Sequence, residues 1–298
     1  MASKPSVDVI IPSFNGKYLL EKHLPEVIKN TEFLHKIIVV DNGSTDGTTE
    51  WLKRSHPDVR VVANKTNLIF TKPVNQGVSV SDSEFIVLLN NDVRPTKGYV
   101  GNTLKYFNDS SVFAVSFNEI GSSWPNLTWE KGKIQYTQGK DKNTPYYSAW
   151  ASGGSAIFKR KIWDKIGGFN EIYAPFYWED IDICYRAWKC GYKTIWDNAS
   201  LVHHEHESTT KTLNLGFVNL IKQRNELLFN WLNVTDQSLV VAHKKFLFTH
   251  TLRHPGYIKV ILSALFRYFI NDVNFKKPNF TLTDSEVFSL INKKYVKI

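Results

Sequence analysis

Apolar and polar positions fall in blocks along the first hundred residues, and the blocks switch between two periods. Val7-Asp8-Val9-Ile10-Ile11-Pro12 and Lys36-Ile37-Ile38-Val39-Val40-Asp41 are short, β-branched apolar runs, the pattern of strands covered on both faces. Between them Leu19, Leu20, Leu24 and Val27 recur at helical spacing across Tyr18 to Asn30. The turn Asn42-Gly43-Ser44-Thr45-Asp46-Gly47 then caps a helix over Thr48 to Ser55. Val59 to Ala63 reads as a third strand, Asn75 to Ser81 as a helix, and Glu84 to Asn90 as a fourth strand. This alternation predicts a parallel α/β sheet.

Past residue 110 the pattern changes. Val112 to Tyr147 reads as short strands and loops rich in Gly, Asn and Trp. Ser155 to Phe158 is a strand, Lys161 to Gly167 and Ile181 to Gly191 are helices, and Thr194 to Trp196 and Leu201 to His203 are short strands. Leu213 to Leu232 and Gln237 to Phe269 follow as long helical stretches. The expected division is a catalytic domain over 1–230 and a helical extension over 231–298.

Composition narrows the partners. The net charge is +9, from 37 basic against 28 acidic residues, which favours anionic ligands. No arginine-rich arm or zinc finger is present, so nucleic acid is excluded. Cys184 and Cys190 lack metal-type spacing and read as reduced thiols. The opening residues carry no leader pattern, and the apolar run Tyr257 to Ile270 is interrupted by Lys259 and Arg267. A cytoplasmic protein is expected. Two readings stay open for the basic, aromatic C-terminal region with Lys244, Lys245, Arg253, Lys259, Arg267, Lys276 and Lys277. It is either a surface resting on an anionic membrane, at the inner face of the cell membrane, or an amphipathic helix packed on the catalytic domain.

Candidate chemistry gathers at strand ends, where open α/β sheets bind ligands. Pro12 to Asn15, Asp41 to Ser44 and Asn90-Asn91-Asp92 deliver polar groups to one rim. Asp41 reads either as a partner for a nucleobase or as a turn-capping acid. Asp92 is placed to hold a divalent cation. Glu179-Asp180 opens a helix among Tyr173, Phe176, Tyr177 and Trp178, an aromatic setting suited to a general base. His203 follows a strand as a metal-ligand candidate, whereas His204 and His206 read as solvated. Lys72, Lys159, Arg160 and Arg186 are candidates to neutralise phosphate. No Gly-x-Gly-x-x-Gly turn follows the first strand, which argues against a dinucleotide oxidoreductase.

The ordered set of segments resembles the inverting glycosyltransferase family 2, in its rhamnosyltransferase-like branch. The matching pieces are Val9 to Gly16, Val39 to Thr48, Leu88 to Asp92, Gly153 to Arg160, Gly167-Gly168-Phe169 and Glu179 to Arg186. The resemblance implies a GT-A fold, a mixed and mainly parallel sheet flanked by helices, with a helical C-terminal extension. It implies inverting sugar transfer from a UDP- or dTDP-sugar to a saccharide or lipid-linked acceptor, in surface polysaccharide or glycolipid synthesis, with Mg²⁺ or Mn²⁺. Position by position, it implies Asp180 as catalytic base beside Glu179, and Asp92 with His203 as metal ligands. Pro12, Asn15, Asp41, Asn75, Asn91, Gly153, Gly154 and Trp178 are implied on the substrate side. Two departures stand out. Asn90-Asn91-Asp92 keeps one carboxylate where the family has Asp-x-Asp, and Ile69 stands where relatives often have Gly. The lost carboxylate keeps an alternative in play, a catalytically impaired nucleotide-sugar-binding or scaffolding protein.

Overall fold

The structure, a computed structural model, describes residues 4–205, 214–270, 278–291 and 293–295. Strands β1 (Val7–Ser13) and β2 (Leu34–Asp41) run parallel with Ser13 level with Asp41. Strands β3 (Arg60–Ala63) and β4 (Phe85–Leu89) extend this parallel block on either side. The remaining strands are β5 (Val93–Pro95), β6 (Val112–Glu119), β7 (Pro125–Glu130), β8 (Lys133–Gln138), β9 (Tyr146–Tyr147), β10 (Ser155–Lys159) and β11 (Lys193–His204). The main sheet runs β3-β2-β1-β4-β10-β6-β11-β5, with β9 beside β11, while β7 and β8 form a separate hairpin. β10 is antiparallel to both neighbours, so the sheet is mixed, as expected.

The helices are α1 (Lys17–Asn30), α2 (Thr48–Ser55), α3 (Thr71–Ser79), α4 (Gly101–Leu104), α5 (Arg160–Ile166), α6 (Glu179–Lys189), α7 (Leu215–Asn233), α8 (Gln237–Arg253), α9 (Ile258–Ile270) and α10 (Asp284–Leu290). α1 and α2 cover one face of the sheet with Leu20, Leu24, Val27, Trp51 and Leu52. α3, α5 and α6 cover the other with Val74, Val78, Ile162, Trp163, Ile183 and Ala187. Each Val, Leu or Ile among them contributes about 1.5–3 kcal/mol on leaving water.

Two segmentations differ from the sequence reading for physical reasons. The two short strands at 194–203 are one strand, interrupted where the buried Asp197 accepts hydrogen bonds from Tyr106 and Ser200. The stretch 237–269 is two helices, because Pro255 lacks an N–H and holds His254 out of helical geometry, at φ −132°. Residue 230 lies inside α7, which packs on α6 and α9. The C-terminal region is also tied in electrostatically: Lys189 of α6 meets Asp284 of α10 at 2.8 Å, both without solvent contact. No helix of the described residues is long and apolar enough to cross a membrane.

Candidate active site

The level ends of β1, β2 and β4 make one rim, and short polar ties bind its loops together. Asn15 stands in the left-handed region at φ 48°, its amide N–H donating to Ser44 Oγ at 2.8 Å. Its own side-chain oxygen accepts from Thr45 N–H at 2.8 Å. Buried Asp41 accepts from Ser44 N–H at 3.0 Å and from the Thr49 hydroxyl, so its carboxylate caps the turn after β2. Gly43, at φ 83°, lies so close to the Thr66 backbone that a Cβ would stand 2.8 Å from it. Asn42 was not singled out by its sequence, yet it holds the next loop. Its amide donates to Asn67 Oδ1 (2.6 Å) and Ile69 O (2.8 Å), and its oxygen accepts from Leu68 N–H (2.9 Å). Ile69 sits at φ 71°, a conformation glycine takes freely and a β-branched residue adopts only under strain.

Beyond β4 the chain presents Asn91 and Asp92. Asn91 donates to Ser13 Oγ at 3.0 Å. Asp92 is buried, with Oδ1 3.0 Å from His204 Nε2. The other ring nitrogen of His204 lies 3.3 Å from Glu119 Oε1, and Glu119 in turn accepts from Ser155 Oγ at 2.5 Å. Burial opposes a charge on His204, but its hydrogen bonds and the charges of Asp92 and Glu119 outweigh this and push the imidazole up to about 9.

The histidine that reaches Asp92 is therefore His204, which the sequence reading had left solvated, and not His203. Successive side chains of a strand point to opposite faces, and β11 pairs His203 with Arg94 and His204 with Val93. His206 lies outside the described residues. A divalent cation here would have to displace the His204 Nε2 proton, after which an imidazole nitrogen and the Asp92 carboxylate are donors of the right kind. Two atoms 3.0 Å apart match neighbouring ligands of one octahedral ion with bonds of about 2.1 Å. The carboxylate behind His204 is the usual way a ligating ring is oriented. A different group, Asp8, His35 and Asp82, brings three potential donor atoms within 4.8 Å of one another at the amino ends of the strands. It stands about 20 Å away along β1, and Lys36 Nζ already holds both oxygens of Asp82, at 2.9 and 3.1 Å.

The second carboxylate pair faces the same rim. Glu179 and Asp180 open α6 behind Tyr177 and Trp178, both left-handed at φ 71° and 81°. Burial pushes Asp180 up to about 6, against the N–H groups of Gly153 (3.3 Å) and Ile181 (2.9 Å) that favour its charge. Burial, then the neighbouring Asp180 charge, pushes Glu179 further, to about 8. Gly153 and Gly154 link the two centres. Gly153 N–H donates to Asp180, while Gly154 O accepts from Asn90 N–H at 2.9 Å, two residues before Asp92. The Asn90 side chain lies over Gly154, where a Cβ would come within 2.4 Å of it.

The aromatic loop ahead of α6 is held from α7. Asn225 Nδ2 donates to the carbonyls of Tyr173 (2.6 Å), Phe176 (3.0 Å) and Tyr177 (2.9 Å). Arg224 Nε donates to Asn225 Oδ1 at 3.0 Å and a terminal nitrogen donates to Ala174 O. An Arg-Asn pair inside a helix gives no sequence signal of this role.

Other expected positions are held by the following contacts. The Asn75 amide pairs in both directions with the Phe169 backbone, at 2.8 and 3.0 Å, tying α3 to the Gly167-Gly168 turn. Trp178 is buried against Phe229, with ring centroids 5.0 Å apart, and meets the exposed Tyr136 edge to face. Pro12 sits half-buried opposite Val40. Arg186 neutralises no phosphate: it is buried, bonding Asp182 (2.7 Å), Ile166 O (2.7 Å) and Gly168 O (2.8 Å). Lys159 and Arg160 are on the wrong side, because antiparallel β10 places Ser155 beside Leu89 and Lys159 beside Phe85, at the far edge. Exposed Lys72 opens α3.

A family profile described as Glycosyl transferase family 2 matches residues 8–167, more than half of the chain, and the protein belongs to that family. The uncharacterized protein y4gI of Sinorhizobium fredii is 28% identical over 70% of this chain and 25% of its own length. The N-acetylglucosaminyl-diphospho-decaprenol L-rhamnosyltransferase of Mycobacterium tuberculosis is 25% identical over 64% of this chain and 73% of its own. The O-antigen chain rhamnosyltransferase WbaN of Salmonella anatum is 24% identical over 70% and 68%. Thus the chain spans a quarter of the first relative and about two thirds to three quarters of the other two. Among solved structures, GalNAc-T7 with UDP, GalNAc and Mn²⁺ shares the fold at a TM-score of 0.64, with 16% identity over 78% of this chain and 48% of that one. The Pyrobaculum calidifontis mannosyltransferase PcManGT with GDP-Man and Mn²⁺ does so at 0.58, with 17% identity over 91% and 77%.

Proposed function

We propose that this protein transfers a glycosyl group, with inversion, from a nucleoside diphosphate sugar to a hydroxyl of a saccharide carried on a lipid. One observation carries the reading: the Asp92–His204 pair and Asp180 hang from opposite ends of the same Asn90–Gly154–Gly153 tie. A sugar bound between them would have its diphosphate at the Asp92 end and the acceptor hydroxyl at the Asp180 end.

Asp180 takes the proton of the acceptor hydroxyl as its oxygen forms a bond to the anomeric carbon. The bond from that carbon to the diphosphate oxygen breaks, and the diphosphate leaves with the electron pair. Glu179, raised to about 8, stays protonated near neutral pH and adds no second charge beside the base. The turn after β2 and the Asn42-held loop over 64–70 shape the nucleotide end. Asp92 and His204 would hold Mg²⁺ or Mn²⁺, which supplies positive charge to the departing diphosphate. The relatives' names support rhamnose as the sugar and a polyprenyl diphosphate saccharide as the acceptor class.

The test is transfer from dTDP-rhamnose, UDP- and GDP-sugars to a short polyprenyl diphosphate N-acetylglucosamine, with Mn²⁺. Product of inverted anomeric configuration supports the reading. Donor binding by wild type without any transfer or hydrolysis would leave only the impaired, scaffolding alternative.

A further inference from the structure

α8 and α9 carry large apolar side chains that no described residue covers. On α9, Ile258, Leu262, Leu265, Phe266 and Phe269 recur at helical spacing along one stripe and are 37–77% exposed. The opposite stripe is used inside. Val260 and Ala264 are buried, and Arg267 donates to Ile172 O at 3.0 Å and Glu171 O at 2.9 Å. On α8, Val241, Phe248 and Leu252 are 56–68% exposed. Ordinary surfaces scatter such residues singly; continuous rows mark a docking face.

The charges beside these rows identify what docks. Lys244, Lys245, Arg253 and Lys259 are exposed, and residues 237–270 contain no Asp or Glu. A second copy would bring the same cations against them. A bilayer surface with anionic headgroups satisfies both requirements at once, since the rings enter the acyl boundary while the long cationic side chains stay at phosphate level.

We propose that α8 and α9 form a docking face for the surface of an anionic phospholipid bilayer, lying on it without crossing it. The face is coupled to the catalytic end. Arg267 ties α9 to Glu171–Ile172, immediately ahead of the 173–178 loop that leads to Asp180. In the reading above, on which this coupling rests, docking brings the base's entrance beside the membrane that holds a lipid-linked acceptor.

Flotation of the full chain with vesicles tests it, using phosphatidylcholine alone and equal parts phosphatidylcholine and phosphatidylglycerol. The chain is expected to float with the anionic vesicles, weakly with the neutral ones, and less as salt rises. The combined variant Leu262→Glu, Phe266→Glu, Phe269→Glu is expected to stay in the lower fractions, with unchanged melting temperature and donor hydrolysis. Replacing Lys244, Lys245 and Lys259 by Gln is expected to weaken partition to anionic vesicles by about fivefold per cation. The proposal is overturned if wild type fails to float with anionic vesicles at low salt, or if the triple Glu variant floats as well as wild type. It is equally overturned if that variant instead dissolves a dimer, which assigns the face to a second copy. Donor hydrolysis in free solution needs no membrane, so its absence in a chain that floats counts against the enzyme reading and leaves the docking face standing.

Discussion

His204 Nε2 lies 3.0 Å from Asp92 Oδ1, and the far side of the same ring faces Glu119 at 3.3 Å. This carboxylate-histidine-carboxylate chain joins β11, the end of β4 and the end of β6, strands that are not consecutive in sequence. His204→Ala is expected to lower activity at limiting Mn²⁺ at least about 100-fold, and Glu119→Gln about 10–100-fold through the ring's orientation. His203→Ala is expected to stay within a few-fold of wild type. Mn²⁺ titrations of initial rate distinguish the three, and equal losses for His203 and His204 would refute the assignment.

Asp180→Asn is expected to cut kcat by roughly a hundred- to ten-thousandfold, the range of a positioned general base. Donor affinity, read by calorimetry, is expected to hold. Survival of turnover within a few-fold removes Asp180 from the mechanism.

The pH dependence follows from the direction of the same shift. A base works only when deprotonated, and burial raises Asp180 to about 6, so kcat/KM is expected to rise with pH through that value and level off above it. An unshifted aspartate would place the limb about two units lower, near 4. The profile in a nonchelating buffer at saturating Mn²⁺ decides between them.

Asn225→Ala removes three hydrogen bonds from the carbonyls that shape the 173–178 loop. At about 1 kcal/mol each, the expected loss of stability is about 2–3 kcal/mol. Denaturant unfolding reads it. The acceptor KM is expected to rise more than the donor KM, because only the loop before Asp180 is loosened.

Asp284→Ala strands Lys189 in the interior without its partner, and the expected loss is about 3–5 kcal/mol. Tyr185 OH and the Thr235 and Asp236 N–H groups lose their acceptor too. A fall of less than about 1 kcal/mol, inside the range of an exposed pair, would show that α10 contributes little to the fold.

Much of this architecture was legible because burial on both faces leaves long apolar runs. Val7 to Pro12, Lys36 to Asp41 and Phe85 to Leu89 were all visible as strands for that reason. Their polar ends pointed to the rim, and Asp92 and Glu179-Asp180 stood out as acids placed next to apolar blocks. What the sequence concealed was orientation. Two adjacent histidines differ only by which face of β11 they occupy, and strand register is not written in residue type. Nor does residue type show that Asn75 pairs with the main chain of Phe169, 94 positions away. Lys159 and Arg160 looked like phosphate clamps until the antiparallel insertion of β10 reversed their end of the strand. Glu119 alone carried an unused cue, a carboxylate closing the apolar run from Val112.

Asn42 fastens the 64–70 loop through one amide, while the residues between its anchor points face outward. Asn64 is also tied to Gln76 and to the Asp41 carbonyl, and Phe70 packs on Phe169, so only the exposed stretch at Lys65 and Thr66 can be rewritten without disturbing the strands beneath. Exchange of this segment between family members is expected to alter donor choice and leave thermal unfolding nearly untouched, which makes the loop the natural handle for redirecting the enzyme.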